Sequence, residues 1–193
     1  MRSKIGLVLA AICSCGYIVT FFLTISGGVL ALDASLVLQI NGLAATPLVG
    51  VSAAFITEFG GDIIQAVIAL AIFVLIPSDR KFALKLAGAL ILSDFAVFLL
   101  RTGYARPRPD LTISGLILPL GRVSDPSFPS GHATRIFSFA CVVVAVKGRK
   151  YFPALVLAMA VGVSRIILGL HYPLDIVSGA FLGILIGVTT HRT

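Results

Sequence analysis

The chain has 193 residues, enough for one domain, of which 58% are apolar and only 12% charged, with a mean hydropathy of +1.07. Soluble domains carry about twice that charged fraction, so the composition excludes an ordinary soluble protein and points to a membrane protein. The net charge of +7 does not mark a nucleic-acid binder, because the basic residues fall between apolar runs and form no stripe.

A spanning helix needs about 20 mostly apolar residues. The first runs from Ile5 to about Ile25 behind Arg2 and Lys4. Its apolar run exceeds a usual signal-peptide core, so a retained helix is expected. The segment Asp33–Asn41 is too short and too polar to span and reads as an interfacial helix or loop. Thr46 to Phe59 reads as a short outer helix, bent at Gly60-Gly61 into helix two, which covers Asp62 to Ile76 and stops at Pro77. Helix three covers about Lys81 to Leu100. A polar segment follows, Arg101 to Phe128, containing Pro107, Pro109, Pro119 and Pro126. Helix four is expected to start at Pro129 and end near Lys147, helix five to run from about Tyr151 to Leu170, and helix six to start at Pro173 and end before His191. The fold class is therefore an all-α, polytopic membrane bundle of six transmembrane helices, a single membrane-embedded domain over residues 1–193, with its active site at the interface. Glycines and alanines in helices two, five and six are expected at close-packing positions. Cys13, Cys15 and Cys141 lie inside apolar segments with no spaced framework, which argues against a structural disulfide or a Cys-based metal site.

With six spans both termini share a side. That side collects Arg2, Lys4, Arg80, Lys81, Lys85, Lys147, Arg149, Lys150 and Arg192 in short basic turns, so both termini are expected in the cytoplasm. The other side, outer or lumenal, holds Arg101, Arg106, Arg108, Arg122, Arg135 and Arg165 mixed with Asp33, Glu58, Asp62, Asp110, Asp125 and Asp175. Such an exception to the charge rule asks for a functional reason.

Ionisable residues at membrane depth are costly and default to functional candidates. Three segments converge at that face: Arg101 to Pro109, Pro129-Ser130-Gly131-His132, and Ser164-Arg165 through His171 to Asp175. Arginine offers planar, permanent donors for phosphate oxygens, and Arg101, Arg108 and Arg165 could each take one edge. With Pro129 as the first helical residue, the N–H groups of Ser130 and Gly131 would be free at a helix N-terminus, a ready anion site. Gly131 would let the anion approach the backbone. A neutral imidazole can attack phosphorus. Asp175, in the first turn after Pro173, can reach back to the His171 N–H and orient it, as Asp serves His in a triad. His132 is then placed to protonate the leaving oxygen, and the two opposite protonation states predict a bell-shaped pH profile.

These segments resemble the three-part pattern of the type 2 phosphatidic acid phosphatase family, which includes bacterial lipid phosphatases and is related to vanadium haloperoxidases. That pattern is Lys, six residues, Arg-Pro; then Pro-Ser-Gly-His; then Ser-Arg, five residues, His, three residues, Asp. Pro129–His132 and Ser164–Asp175 match it fully. Arg108-Pro109 has the right spacing, but Arg101 stands where the family has Lys, keeping the charge and changing the geometry. The resemblance implies His171 as nucleophile, Asp175 as its orienter, His132 as acid, and Arg101, Arg108, Ser130, Gly131 and Arg165 as phosphate ligands, with no metal and no cofactor.

Blander readings stand beside these. Two His and an Asp could form a metal site, though three nearby arginines would repel a divalent cation. The histidines could merely cap helices. Arg106 reads as a phosphate ligand or a solvated loop residue. Arg135, one turn after His132, has either a structural partner such as Asp94 or Asp125 or a second phosphate of a diphosphate substrate. Glu58 and Asp62 read as rim residues. The expected function is hydrolysis of a lipid phosphate or diphosphate reached through the bilayer. A polyprenyl diphosphate comes first, then phosphatidate or phosphatidylglycerophosphate, then lipid A. A phospholipid-binding or transport protein is the non-enzyme alternative, and oligomeric state is left open.

Overall fold

A computed structural model describes residues 2–192. The side chains of Arg2, Lys4 and Arg192, three of the basic residues in the topology argument, lie outside the described residues. The helices in chain order are α1 (Arg2–Ser26), α2 (Leu30–Asn41), α3 (Pro47–Thr57), α4 (Asp62–Leu75), α5 (Arg80–Gly103), the single turn α6 (Pro109–Thr112), α7 (Gly131–Lys147), α8 (Pro153–Ile167) and α9 (Pro173–Arg192), with no strand among the described residues.

Four stretches are long and apolar enough to cross a bilayer: Gly6–Ser26, Pro77–Gly103, Arg149–Ile167 and Pro173–His191. The expectation of six full-length spans is not met by length alone, because α4 has 14 residues and α7 has 17. The expected interfacial segment is a helix, α2. It pairs with α3 through a 111° bend, sharper than any turn read from the sequence. Thr46 takes an extended conformation there and Pro47 opens α3. Both ends of the bent pair touch the same end of the bundle, since Asp33 contacts Leu174 and Gly60 lies against His132. The break into α4 falls at Gly61, which is extended.

The bundle is built around α7 and α9, which run parallel. An added Cβ on Gly179 would meet the Ser130 carbonyl at 2.7 Å and Ala133 at 3.0 Å. One on Gly183 would collide with the Thr134 carbonyl, and one on Gly187 would sit 2.6 Å from Cys141 Cβ. The three glycines recur every four residues, so one face of α9 lets the α7 backbone lie directly on it. Gly162 of α8 is crowded in the same way by Ile176, at 2.7 Å. α5 completes this core antiparallel to α7, through a buried Ser93–Ser138 hydroxyl hydrogen bond of 2.9 Å. α1 packs on α9, with Gly16 facing the Phe181 ring. Leu, Ile, Val and Phe side chains along the outer faces of α1, α4 and α5 are exposed, as lipid-facing helices require. Cys13, Cys15 and Cys141 are free thiols.

Candidate functional site

The C-termini of α5 and α8 and the N-termini of α7 and α9 meet at one end of the bundle, bridged by the 104–130 segment. Helix α9 begins at Pro173 as expected, and Asp175 is its third residue. Its carboxylate turns back and accepts the Tyr172 N–H at 2.9 Å. His171 precedes the helix, and its Nδ1 lies 3.4 Å from Asp175 Oδ2. Both residues are sealed from solvent, at 1% and 0% exposure.

The partners assign the His171 tautomer. Asp175 accepts at Nδ1, so that nitrogen carries the proton. On the other side, Arg108 Nη1 lies 3.3 Å from Nε2, and a guanidinium can only donate. Nε2 therefore presents its lone pair. Burial, reinforced by Arg108, Arg165 and Arg101, holds the His171 ring well below the ordinary 6.5, in its neutral form. An imidazole with an unprotonated Nε2 and a carboxylate behind Nδ1 can act as a nucleophile or base once Arg108 turns from Nε2 to an arriving anion.

His132 is the second residue of α7. Its Nδ1 lies 3.3 Å from Arg135 Nη2, so Nδ1 accepts and the proton sits on Nε2. The expectation that α7 starts at Pro129 is corrected. Ser130 is the N-cap, its hydroxyl accepting the Ala133 N–H at 3.4 Å, and Pro129 precedes the cap after a cis peptide bond. Nor is the Ser130 N–H free for an anion, because it donates to the Asp175 carbonyl at 3.1 Å and ties α7 to α9. Gly131 does leave room, but for Arg135: a Cβ there would lie 3.4 Å from its Nη1.

The arginines divide into three kinds. Arg101 and Arg108 share one carboxylate, Asp125. Arg101 Nη1 pairs with Oδ2, and Arg108 Nη2 donates to Oδ1 at 2.7 Å. Arg101 also donates to the Pro129 carbonyl at 3.1 Å, and Arg108 to the Leu170 carbonyl at 2.6 Å. Asp125 is 43% exposed, at the mouth. Burial would raise its carboxyl, but Arg101 and Arg108 outweigh that and hold it below the usual carboxylate range.

Arg135 and Arg106 have structural partners. Arg135 donates to Asp94 at 2.6 Å and to the Gly60 carbonyl at 3.0 Å, so of the two readings it has the carboxylate partner. Arg106 is not a solvated loop residue, and its terminal nitrogens are held by carboxylates. It is 4% exposed, donates to Asp175 Oδ1 at 2.6 Å and Asp33 Oδ2 at 2.7 Å, and lies 3.9 Å over the Tyr172 ring.

Arg165 is the third kind. It is 5% exposed and, among the described residues, donates to Thr57 Oγ1 at 3.1 Å and leaves Nε without a partner. Among the described residues no carboxylate lies within ion-pair distance of it. A buried cation without a counter-charge is costly unless an anion is to arrive.

Glu58 and Asp62 are exposed, as rim residues should be, whereas Arg122 stands away from the centre, 74% exposed and 3.5 Å from Asp110. Sequence reasoning missed four supports: Asp33, Thr57, Ser127, whose hydroxyl donates to Asp175 Oδ2, and Asn41. The Asn41 amide donates to the Ile117 and Ile167 carbonyls, each at 2.8 Å, and pins the 113–118 strap onto the end of α8. The signal for Asp33 is a lone acid among the aliphatic residues that open α2, Leu30 to Leu38, which asks for a buried partner.

Fold and site together define a helical membrane protein with a buried arginine–histidine centre at one end of its bundle. The family model described as "PAP2 superfamily" matches residues 82–193, and the chain belongs to that superfamily. It is 29% identical to the undecaprenyl-diphosphatase of Bacillus subtilis strain 168, over 72% of this chain and 71% of that one. Some curated relatives are matched over only about half their length. A putative undecaprenyl-diphosphatase of Escherichia coli strain K12, for example, is 33% identical over 56% of this chain and 54% of its own. Among solved structures, LpxE of Aquifex aeolicus superposes with a TM-score of 0.73 at 26% identity, covering 82% of this chain and 94% of that one.

Proposed function

We propose that this chain is an integral membrane lipid phosphatase that hydrolyses a lipid phosphate or diphosphate, a polyprenyl diphosphate before all others, through a phosphohistidine at His171. The observation that carries this is Arg165. It is a buried guanidinium with an unbonded Nε and, among the described residues, no carboxylate at ion-pair distance, close enough to both histidines for its charge to act on each ring. A phosphoryl group is the anion that Arg165, Arg108 and Arg101 would hold in common. Membership of the superfamily and the names of the matched undecaprenyl-diphosphatases favour the substrate class.

The reaction runs in two steps. His171 Nε2 gives its lone pair to phosphorus, an N–P bond forms, and the P–O bond to the lipid breaks. For a diphosphate this is the bridging oxygen, which leaves on the lipid monophosphate and takes a proton from His132. Water then attacks phosphorus, His132 takes its proton, the N–P bond breaks and inorganic phosphate leaves. Asp175 holds Nδ1–H and balances the charge the ring gains on attack. His132 must enter protonated on both nitrogens, so Arg135 has to release Nδ1. The arriving anion offers Arg135 a competing partner.

In this reading α1, α4, α5, α7, α8 and α9 make six crossings, with both termini cytoplasmic and the site at the outer or lumenal interface. The short α4 and α7 begin below the membrane surface, where the bent α2–α3 pair caps them. The lipid tail stays in the bilayer while the headgroup enters. The test is phosphate release by the purified protein from a polyprenyl diphosphate, phosphatidate and phosphatidylglycerophosphate, with EDTA present. Hydrolysis with EDTA that His171→Ala abolishes is the expected result. Undiminished hydrolysis by His171→Ala removes the nucleophile. Binding without hydrolysis across the whole panel replaces the enzyme by a lipid-phosphate binder or transporter.

A further inference from the structure

Arg106 and Asp33, which the phosphatase reading leaves unused, form with Asp175 a buried charge cluster behind the nucleophile. All three are nearly inaccessible, at 4%, 2% and 0% exposure. Arg106 spans the two carboxylates with its two terminal nitrogens, at 2.6 and 2.7 Å, and its guanidinium plane lies 3.9 Å from the Tyr172 ring centre. Asp33 Oδ1 accepts the Leu174 N–H at 3.0 Å, in the first turn of the helix that carries Asp175. Asp33 belongs to α2, which lies outside the residues matched by the family model.

Two physical consequences follow. First, orientation: Asp175 Oδ1 is fixed by Arg106, which aims Oδ2 at Tyr172 N–H, Ser127 and His171 Nδ1. Second, charge balance. A single arginine against Asp175 would neutralise it and weaken its pull on a cationic ring. With both carboxylates ionised, two negative charges face one positive and the cluster carries a net charge of −1; burial of Asp33 and Asp175 opposes that ionisation, and Arg106 with the Leu174 and Tyr172 N–H groups supports it. That charge meets the positive charge His171 gains when Nε2 bonds phosphorus. In a low-dielectric interior such a unit charge acts strongly.

We propose that Asp33 and Arg106 are positioning residues for the reaction. Arg106 sets the direction of the Asp175 carboxylate, and Asp33 restores the negative charge that Arg106 would cancel, so that α2 completes the catalytic centre. This rests on His171 as the nucleophile. Neither residue touches the substrate, so their loss acts on turnover and not on phosphate affinity.

The experiment measures kcat, KM and inhibition by inorganic phosphate for wild type, Asp33→Asn and Arg106→Lys in detergent micelles, with thermal unfolding in parallel. Lysine keeps the charge but lacks the two fixed terminal nitrogens with which Arg106 spans the carboxylates. Each variant should lose about 10- to 100-fold in kcat, the range typical when the outer partner of a metal-bound histidine is removed, with KM and phosphate inhibition unchanged. Arg106→Ala adds a second arm. A cavity of about 690 Å³ lined in part by Arg106, Tyr104 and Tyr172 opens beside the guanidinium. Added guanidinium ion should enter it and restore kcat, while ammonium at the same concentration should not. Wild-type kcat in both point variants overturns the proposal, as does a loss that appears in KM. So does an Arg106→Ala variant that guanidinium stabilises against heat without reviving turnover. A wild-type protein that hydrolyses no lipid phosphate in the same assay overturns the underlying phosphatase reading instead.

Discussion

Asp175→Asn changes one atom in the most enclosed part of the site, and its outcome can be worked through bond by bond. The native carboxylate receives Arg106 at 2.6 Å on Oδ1, and Tyr172 N–H at 2.9 Å, Ser127 and His171 Nδ1 at 3.4 Å on Oδ2. Asparagine has only one acceptor oxygen. Arg106 is a cation that cannot accept, so the oxygen stays on its side and the amide N–H₂ faces His171. The ring then faces a donor at each nitrogen, the amide at Nδ1 and Arg108 Nη1 at Nε2; accepting at Nδ1 moves its proton to Nε2, removes the attacking lone pair and costs the contact with Arg108. The same wrong-tautomer logic in a serine-protease triad costs about 10⁴-fold. The kcat for phosphate release should fall on the order of 10³–10⁴-fold, or about 4–5.5 kcal/mol of barrier. The Tyr172 N–H loses its acceptor as well, a further stability cost of about 1–3 kcal/mol. The assay is kcat and KM on a lipid diphosphate in micelles, with thermal unfolding of the same preparation. A variant that keeps most of its turnover while folded would refute the tautomer argument and with it the orienting role of Asp175.

Arg165→Met should separate function from stability. Arg165 is a buried cation with no carboxylate at ion-pair distance among the described residues, so its removal should raise the unfolding temperature by roughly 2–4 °C for each kcal/mol of burial cost relieved. Phosphate inhibition and activity should be lost at the same time, and a destabilised variant would mean that the cation is structural. For pH, the folded His171 value is depressed below 6.5 by burial first, then by Arg108, Arg165 and Arg101. Its neutral form therefore persists below pH 6.5, and the acid limb of kcat/KM should lie lower than that. The unfolded chain binds the extra proton in the same window, so stability should fall as pH drops from 6.5 toward the folded value. His171→Asn should flatten that slope, and an unchanged slope would assign it elsewhere. Gly183→Ala forces a methyl into the Thr134 carbonyl, whereas Gly88→Ala meets only Thr190 Cγ2, at 3.7 Å. The first should cost about 1–3 kcal/mol or more by overpacking and the second little; equal unfolding shifts would show that α7 and α9 are not in backbone contact.

The residues that the motif spacing singles out come together in space, because each lies next to a helix boundary that the sequence marks. Pro173 starts α9 and so puts Asp175 beside His171. The start of α7 was misread because Pro129 suits a first helical position, yet the Ser130 hydroxyl makes the better cap two residues before His132. Arg106 sits among prolines in a polar segment, which looks solvated along the chain. Its burial depends on Asp33, 73 residues away, and pattern reading has no access to that pairing. Asp125 reads along the chain as one of the outer-face acids or as a partner for Arg135, since nothing local says that one carboxylate will join Arg101 to Arg108. The 111° bend at Thr46 carries a weak local mark, a single Thr-Pro step. What decides it is the packing of α2 over the end of the bundle, through Asp33 and Asn41.

The glycine face between α7 and α9 has a consequence for how this protein lives in membranes of different thickness. His132 is the second residue of α7 and His171 stands just ahead of α9, and the two helices enter from the same end with their backbones in contact at Gly179, Gly183 and Gly187. A thicker or thinner bilayer makes helices tilt or slide to match it. Here the pair can respond only as one piece, because sliding either helix along the other would drive carbonyl oxygens into carbons. The gap between the two imidazoles is thus held like the jaws of a locked caliper, and lipid composition can change how deep the centre sits without changing its spacing.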